Sequence, residues 1–153
     1  MKKFVFTCGD INGIGPEIVI KTFNKISSKT KNEFYFVCPS NVFKETAKFV
    51  KPKFKYEIVE RADNSSPFPV QVIDLGVARI SPGKANAASG RISYKSIKTA
   101  FELVVNKKAD AMVTAPISKT AFNIAKINFS RLIILYILNI DYIDDRKIIY
   151  NYY

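Results

Sequence analysis

Residues 3–8, Lys-Phe-Val-Phe-Thr-Cys, form a short apolar run of aromatic and β-branched residues that predicts a strand. The run stops at Gly9-Asp10-Ile11-Asn12-Gly13-Ile14-Gly15, and Pro16-Glu17 then supply a proline and an acid suited to a first helical turn. Strand, glycine turn and helix follow one another. Glu33–Cys38 predicts a second strand, and Ser40 is placed to cap a helix through about Val50 with Phe43, Ala47 and Val50 on one face. Phe54–Glu60 alternates as a further strand, Arg61–Pro69 is a polar connection with two prolines, and Val70–Leu75 is strand again.

A stretch of small residues, Gly76–Ala88, precedes the longest predicted helix, Ser93–Asn106, whose Ile97, Ala100, Phe101, Val104 and Val105 recur at helical spacing. Lys107-Lys108 are expected to close its last turn against the helix dipole. Ala109–Thr114 is a fully apolar strand apart from Asp110, and a short helix is expected from about Ser118 to Ala125. Strands alternating with helices assemble most economically as a parallel or mixed α/β sheet. There are no internal repeats, and 153 residues suffice for one domain with its own core.

The alphabet changes at Ser130. Residues 130–153 hold 15 Leu, Ile or Tyr among 24 and contain no Gly, Ala, Pro or Val. Arg131, Arg146 and Lys147 cancel Asp141, Asp144 and Asp145 there, so the whole formal charge of +11 belongs to residues 1–129. Such an alphabet is what an adenine- and thymine-rich gene yields out of frame; a terminal strand or helix that completes the core is the alternative on composition alone.

Composition bounds the chemistry. The chain has no His, which excludes His-based triads and His-ligated metal sites. Only 5 of its 24 basic residues are Arg, and the lysines are scattered from Lys2 to Lys147, a pattern of surface solvation rather than of a nucleic-acid patch. A small basic module for RNA or an acidic partner is the alternative class of function. Cys8 and Cys38 both fall in apolar runs and are expected as buried, reduced thiols. The N-terminal apolar run breaks too early for a signal peptide, and no run reaches 18 apolar residues, so a cytoplasmic chain without a membrane span is expected.

Three stretches carry candidate ligand residues. The first glycine turn offers Asp10, Gly13 and Gly15 before a helix N-terminus, although Ile18 stands where a dinucleotide fingerprint has its third glycine. Gly83-Lys84 through Gly90-Arg91 is flexible and carries two cations, Lys84 and Arg91, suited to an anion or to solvent alike. Lys119 follows a buried strand, on the edge where open α/β sheets place ligands.

Taken in order, Gly-Asp-x-x-Gly-Ile-Gly-Pro-Glu-Ile at 9–18, Gly-Lys-x-x-Ala-x-x-Gly-Arg at 83–91 (with Ala87 or Ala88 as the small residue) and Asp-Ala-x-Val-Thr-Ala-Pro-Ile-Ser-Lys at 110–119 resemble the N-terminal part of the 4-hydroxythreonine-4-phosphate dehydrogenase family. The resemblance runs over about residues 3–129. It implies part of a three-layer α/β/α fold of the isocitrate and isopropylmalate dehydrogenase type, with a mostly parallel, incomplete sheet. It also implies an NAD-dependent oxidoreductase of pyridoxal phosphate biosynthesis: a homodimer that oxidises and decarboxylates a phosphorylated hydroxy-amino acid in a cleft between two domains. A divalent metal held by histidines acts there as a Lewis acid on the hydroxyl and then the ketone.

The departure is as specific as the resemblance. Past an Ile-x-Phe-Ser segment the family continues with Gly-His-Thr-Glu, where this chain reads Ser130-Arg131-Leu132-Ile133. The family's metal-binding histidines and phosphate-binding Lys, Asn and Arg lie further on and match no residue here. The motif break and the change of alphabet coincide. They divide the chain into an N-terminal α/β part, 1–129, and an aberrant, frameshifted tail, 130–153, with no catalytic or metal-ligating residue to assign and no activity expected of the chain alone.

Overall fold

Continuous apolar strands are expected where both faces of a sheet are covered, and that is the arrangement found. The computed structural model describes residues 1–63 and 65–128 and the backbone of Ile148 and Ile149. The strands are β1 (Lys3–Thr7), β2 (Glu33–Cys38), β3 (Tyr56–Val59), β4 (Val70–Asp74), β5 (Ala111–Val113) and β6 (Ile148–Ile149). They lie in the order β3-β4-β2-β1-β5-β6 with every ladder parallel. The helices are α1 (Gly15–Ile26), α2 (Ser40–Phe49), α3 (Ala87–Val105) and α4 (Lys119–Ile124).

Alternate strand residues divide the core in two. Phe6, Cys8, Phe34, Phe36, Cys38, Val70 and Val72 face α1 and α2, where they meet Val19, Ile20, Phe23, Val42 and Phe43. Val5, Tyr35, Val37 and Ile73 point the other way and pack with Ala100 and Val104 of α3. Phe23 centres the first layer, edge-on to Phe6 at 4.9 Å and to Phe54 at 5.6 Å between ring centroids. The chain runs from β1 outward to β2, β3 and β4, then crosses beneath the sheet through α3 to β5 on the other side of β1. The strand order therefore reverses between β1 and β5, the kind of point at which doubly wound sheets open a crevice beyond their carboxyl ends.

Several expected boundaries shift. Ser40 is the first residue of α2 rather than its cap; Pro39 holds the cap position, and the Ser40 N–H donates at 2.7 Å to the Asp74 carboxylate at the end of β4. The third helix begins at Ala87, six residues before Ser93, behind a capping box in which the Ser89 N–H donates to Asn86 at 2.8 Å. Its first turns carry small residues for close packing on α4, so the apolar stripe that marks the helix in the sequence begins late. Lys107 and Lys108 lie outside the last turn. Lys107, at φ +59°, donates to Val104 O while Lys108 donates to Leu103 O, a Schellman ending in the left-handed region. The tail expected to be aberrant, 130–153, lies outside the described residues except for the backbone of Ile148–Ile149, which pairs with Met112 and Val113 of β5. Among the described residues no helix is long and apolar enough to cross a membrane.

Candidate functional site at the carboxyl edge of the sheet

The three motifs converge where β1 and β5 end. Gly9, at φ +62°, leaves β1 so close to the β5 loop that a β-carbon would stand 2.2 Å from Pro116 O. The Asp10 N–H donates to that same carbonyl at 2.8 Å, which ties the first motif to the third. Buried Asn12 ties the first to the second: its Nδ2 donates to Lys84 O at 2.8 Å, its Oδ1 accepts from Ser81 N at 2.8 Å, and its carbonyl accepts from Gly83 N at 2.8 Å. The second and third motifs meet where Gly90 of α3 lies against α4, so that a β-carbon there would stand 2.3 Å from Ala121 O.

These contacts reassign the glycines. Gly9, Gly15 and Gly90 are required by the protein's own backbone, since added β-carbons would strike Pro116 O, Cys8 O and Ala121 O at 2.2, 2.3 and 2.3 Å. Gly13 is exposed and would meet nothing closer than Asp10 Oδ2 at 3.5 Å, an ordinary contact. Asp10 is half-buried and its Oδ1 accepts from Asn12 N at 3.1 Å, an Asx turn that holds the loop. Lys84, Arg91 and Lys119 are all exposed. Lys84 sits on the clamped loop, Arg91 beside Gly90, and Lys119 at the start of α4 behind its Ser118 cap, whose Oγ accepts from Ala121 N at 3.1 Å. The backbones are thus brought to one edge, and the three cations stand exposed on the segments that meet there.

The polar pins were missed in the sequence. Asn41 holds the same loop as Asn12 does, exchanging bonds of 2.8 and 3.0 Å with Ala78. Buried Ser96 of α3 accepts from Cys8 N at 3.0 Å and donates to Val37 O at 2.7 Å, so that a hydroxyl replaces a ladder bond between β1 and β2. Asp74 caps α2 from the next strand. Burial pushes its carboxyl up, but the N–H donors of Ser40 and Gly76 outweigh that and hold it below the usual carboxylate range. A depression of about 270 Å³ lined by Arg79, Ser81, Asn86 and Ala88 opens beside the N-terminus of α3.

A histidine-held divalent metal does not fit this chain: there is no His, and no group of three or more His, Cys, Asp or Glu among the described residues could hold an ion. At the glycine turn the close approaches, those of Gly9 and Gly15, are to the protein's own carbonyls.

A parallel α/β sheet with its motif loops gathered at the reversal of strand order defines the class, a dehydrogenase-type fold of the isocitrate and isopropylmalate dehydrogenase kind. The family model described as pyridoxal phosphate biosynthetic protein PdxA matches residues 29–133, and the chain belongs to that family. It is 29% identical over 133 residues to D-threonate 4-phosphate dehydrogenase of Salmonella typhimurium, covering 84% of this chain and 41% of that one. It is 29% identical over 128 residues to 4-hydroxythreonine-4-phosphate dehydrogenase of Helicobacter pylori, again with 84% of this chain but 39% of the relative. A crystal structure of the latter enzyme from Klebsiella pneumoniae superposes with a TM-score of 0.71 at 25% identity, over 82% of this chain and 40% of that one. The chain thus spans about two-fifths of the length of these relatives.

Proposed function

We propose that this chain carries the N-terminal share of the substrate cleft of a dehydrogenase acting on a small phosphorylated hydroxy acid, and that by itself it does not turn over. The observation that carries the reading is the convergence of three motifs, far apart in sequence, on one carboxyl edge of a PdxA-family sheet. Both relatives described above act, by their names, on a 4-phosphate compound; the family's phosphate-binding residues match none here, and the exposed Lys84, Arg91 and Lys119 are the cations this part offers to an anionic substrate. Thr114 Oγ1, in the third motif, is buried without a partner among the described residues, a polar atom left for a ligand.

In this reading the complete reaction draws NAD, a divalent metal and a second copy of the chain from the full-length architecture of a cytoplasmic homodimer. Residues 1–129 are the functional remnant and 130–153 an out-of-frame tail. The dispersed lysines give no support to a nucleic-acid module. The test is titration of the isotope-labelled chain with 4-phosphohydroxythreonine, followed by amide NMR. Shifts confined to Asp10, Gly13, Lys84, Arg91 and Lys119 and their neighbours are expected; shifts elsewhere, or none, would refute the cleft assignment.

A further inference from the structure

Cys8 and Cys38 are free, wholly buried and used by none of the chemistry above. Cys38 ends β2 and Cys8 directly follows the last residue of β1, and since the parallel register pairs Thr7 with Val37 the two cysteines come next on neighbouring strands. Both side chains belong to the same buried layer, against α1 and α2, where the Cys8 thiol donates to Gly9 O at 3.5 Å. Opposed residues on neighbouring strands stand ~4.8 Å apart, within the ~4.4–6.8 Å Cα range of disulfides and short of their favoured ~5.5–6 Å. Ser96 enters the ladder at this place. Its hydroxyl is lodged between Cys8 N and Val37 O, in place of the direct ladder bond that would otherwise draw the two strand ends together.

We infer that Cys8 and Cys38 are a built dithiol pair that closes to an intramolecular disulfide by exchange with a small-molecule disulfide such as oxidised glutathione. One cysteine, as thiolate, attacks a sulfur of the glutathione disulfide and releases one reduced glutathione. The second cysteine then displaces the other glutathione from the mixed disulfide. One S–S bond is broken and one formed, two electrons pass from the cysteines to glutathione, and the two thiol protons end on the released thiols. The link would fasten the strand end that leads into the Gly9–Asp10 turn to the one that leads into α2. Burial pushes the Cys38 thiol up, so exchange proceeds through local opening and is slow, and the proposal is tested at equilibrium rather than by rate.

The full chain is equilibrated in glutathione redox buffer, once folded and once in concentrated urea, alkylated, and analysed by intact mass and non-reducing peptide mapping. A fold that holds the two sulfurs together raises the equilibrium constant for the Cys8–Cys38 link over its value in urea; ~100-fold is expected from the closure entropy of the intervening loop. A ratio above about tenfold supports the proposal, and a ratio at or below that, or mixed glutathione disulfides as the dominant folded product, overturns it. Cys8→Ser and Cys38→Ser, mapped in urea where folding is not at issue, identify the peptides: each variant retains a single mixed disulfide and no internal link.

Discussion

Gly9 and Gly13 look alike in the sequence and differ in the structure, which makes them a direct test of what the first turn is for. Gly9 combines a left-handed φ of +62° with a blocked β-carbon position, so Gly9→Ala is expected to cost ~2–4 kcal/mol of unfolding free energy. Gly13→Ala, whose β-carbon would make only ordinary contacts with Asp10, is expected within ~0.5 kcal/mol of the parent. Urea denaturation of both variants checks the pair. Asn12→Ala removes two side-chain bonds that hold the 81–84 loop and leaves Ser81 N and Lys84 O without them, a loss of ~2–3 kcal/mol.

Asp74 supplies the pH dependence at this scale. Its carboxyl lies below the ordinary range when folded, so its contribution is complete above the unfolded pKa of ~3.9 and is lost as the pH falls through the folded value. Asp74→Ala is expected to lower stability by ~1–2 kcal/mol at neutral pH, and the gap between variant and parent should close in acid. The glycine turn was legible because closely spaced glycines mark a turn by themselves, although the contact that requires Gly9, with Pro116 O, is distant in sequence. Asn12 was not, since its side-chain partners are 69 and 72 residues away and no local pattern announces them.

Every expected strand is found, though β3 and β5 are shorter than the runs Phe54–Glu60 and Ala109–Thr114; the starts of α2 and α3 were read less well than the ends of α4. An apolar run covered on both faces has one interpretation, and Glu33–Cys38 is strand from end to end. Helix starts depend on what binds the first free N–H groups: α2 is capped by a carboxylate from β4, and α3 begins in a small-residue stretch that reads as loop. Helix ends bring a prediction. Lys107 and Lys126 occupy left-handed positions, at φ +59° and +58°, where helices favour glycine. Lys107→Gly and Lys126→Gly should each stabilise the fold by ~0.5–1 kcal/mol, raising the thermal midpoint. Asn86→Ala, by removing the cap of α3, should cost ~1 kcal/mol.

At the scale of the molecule, the order of elements, the parallel sheet and the meeting of three motifs at one edge all agree with the PdxA family. Convergence is the part the sequence could suggest only through family resemblance, because contacts such as Asp10 N to Pro116 O and Gly90 to Ala121 join segments that share no periodicity. Charge says less than it first promised: Lys84, Arg91 and Lys119 are exposed on the segments that carry the motifs, and the other lysines are scattered along the sequence. The central claim is that this chain has the family's N-terminal framework without its reaction. The most direct measurement is absorbance of NADH with the purified 153-residue chain, NAD, 4-phosphohydroxythreonine and a divalent metal. No NADH above the enzyme-free rate is predicted; sustained turnover that scales with the amount of chain would contradict the account.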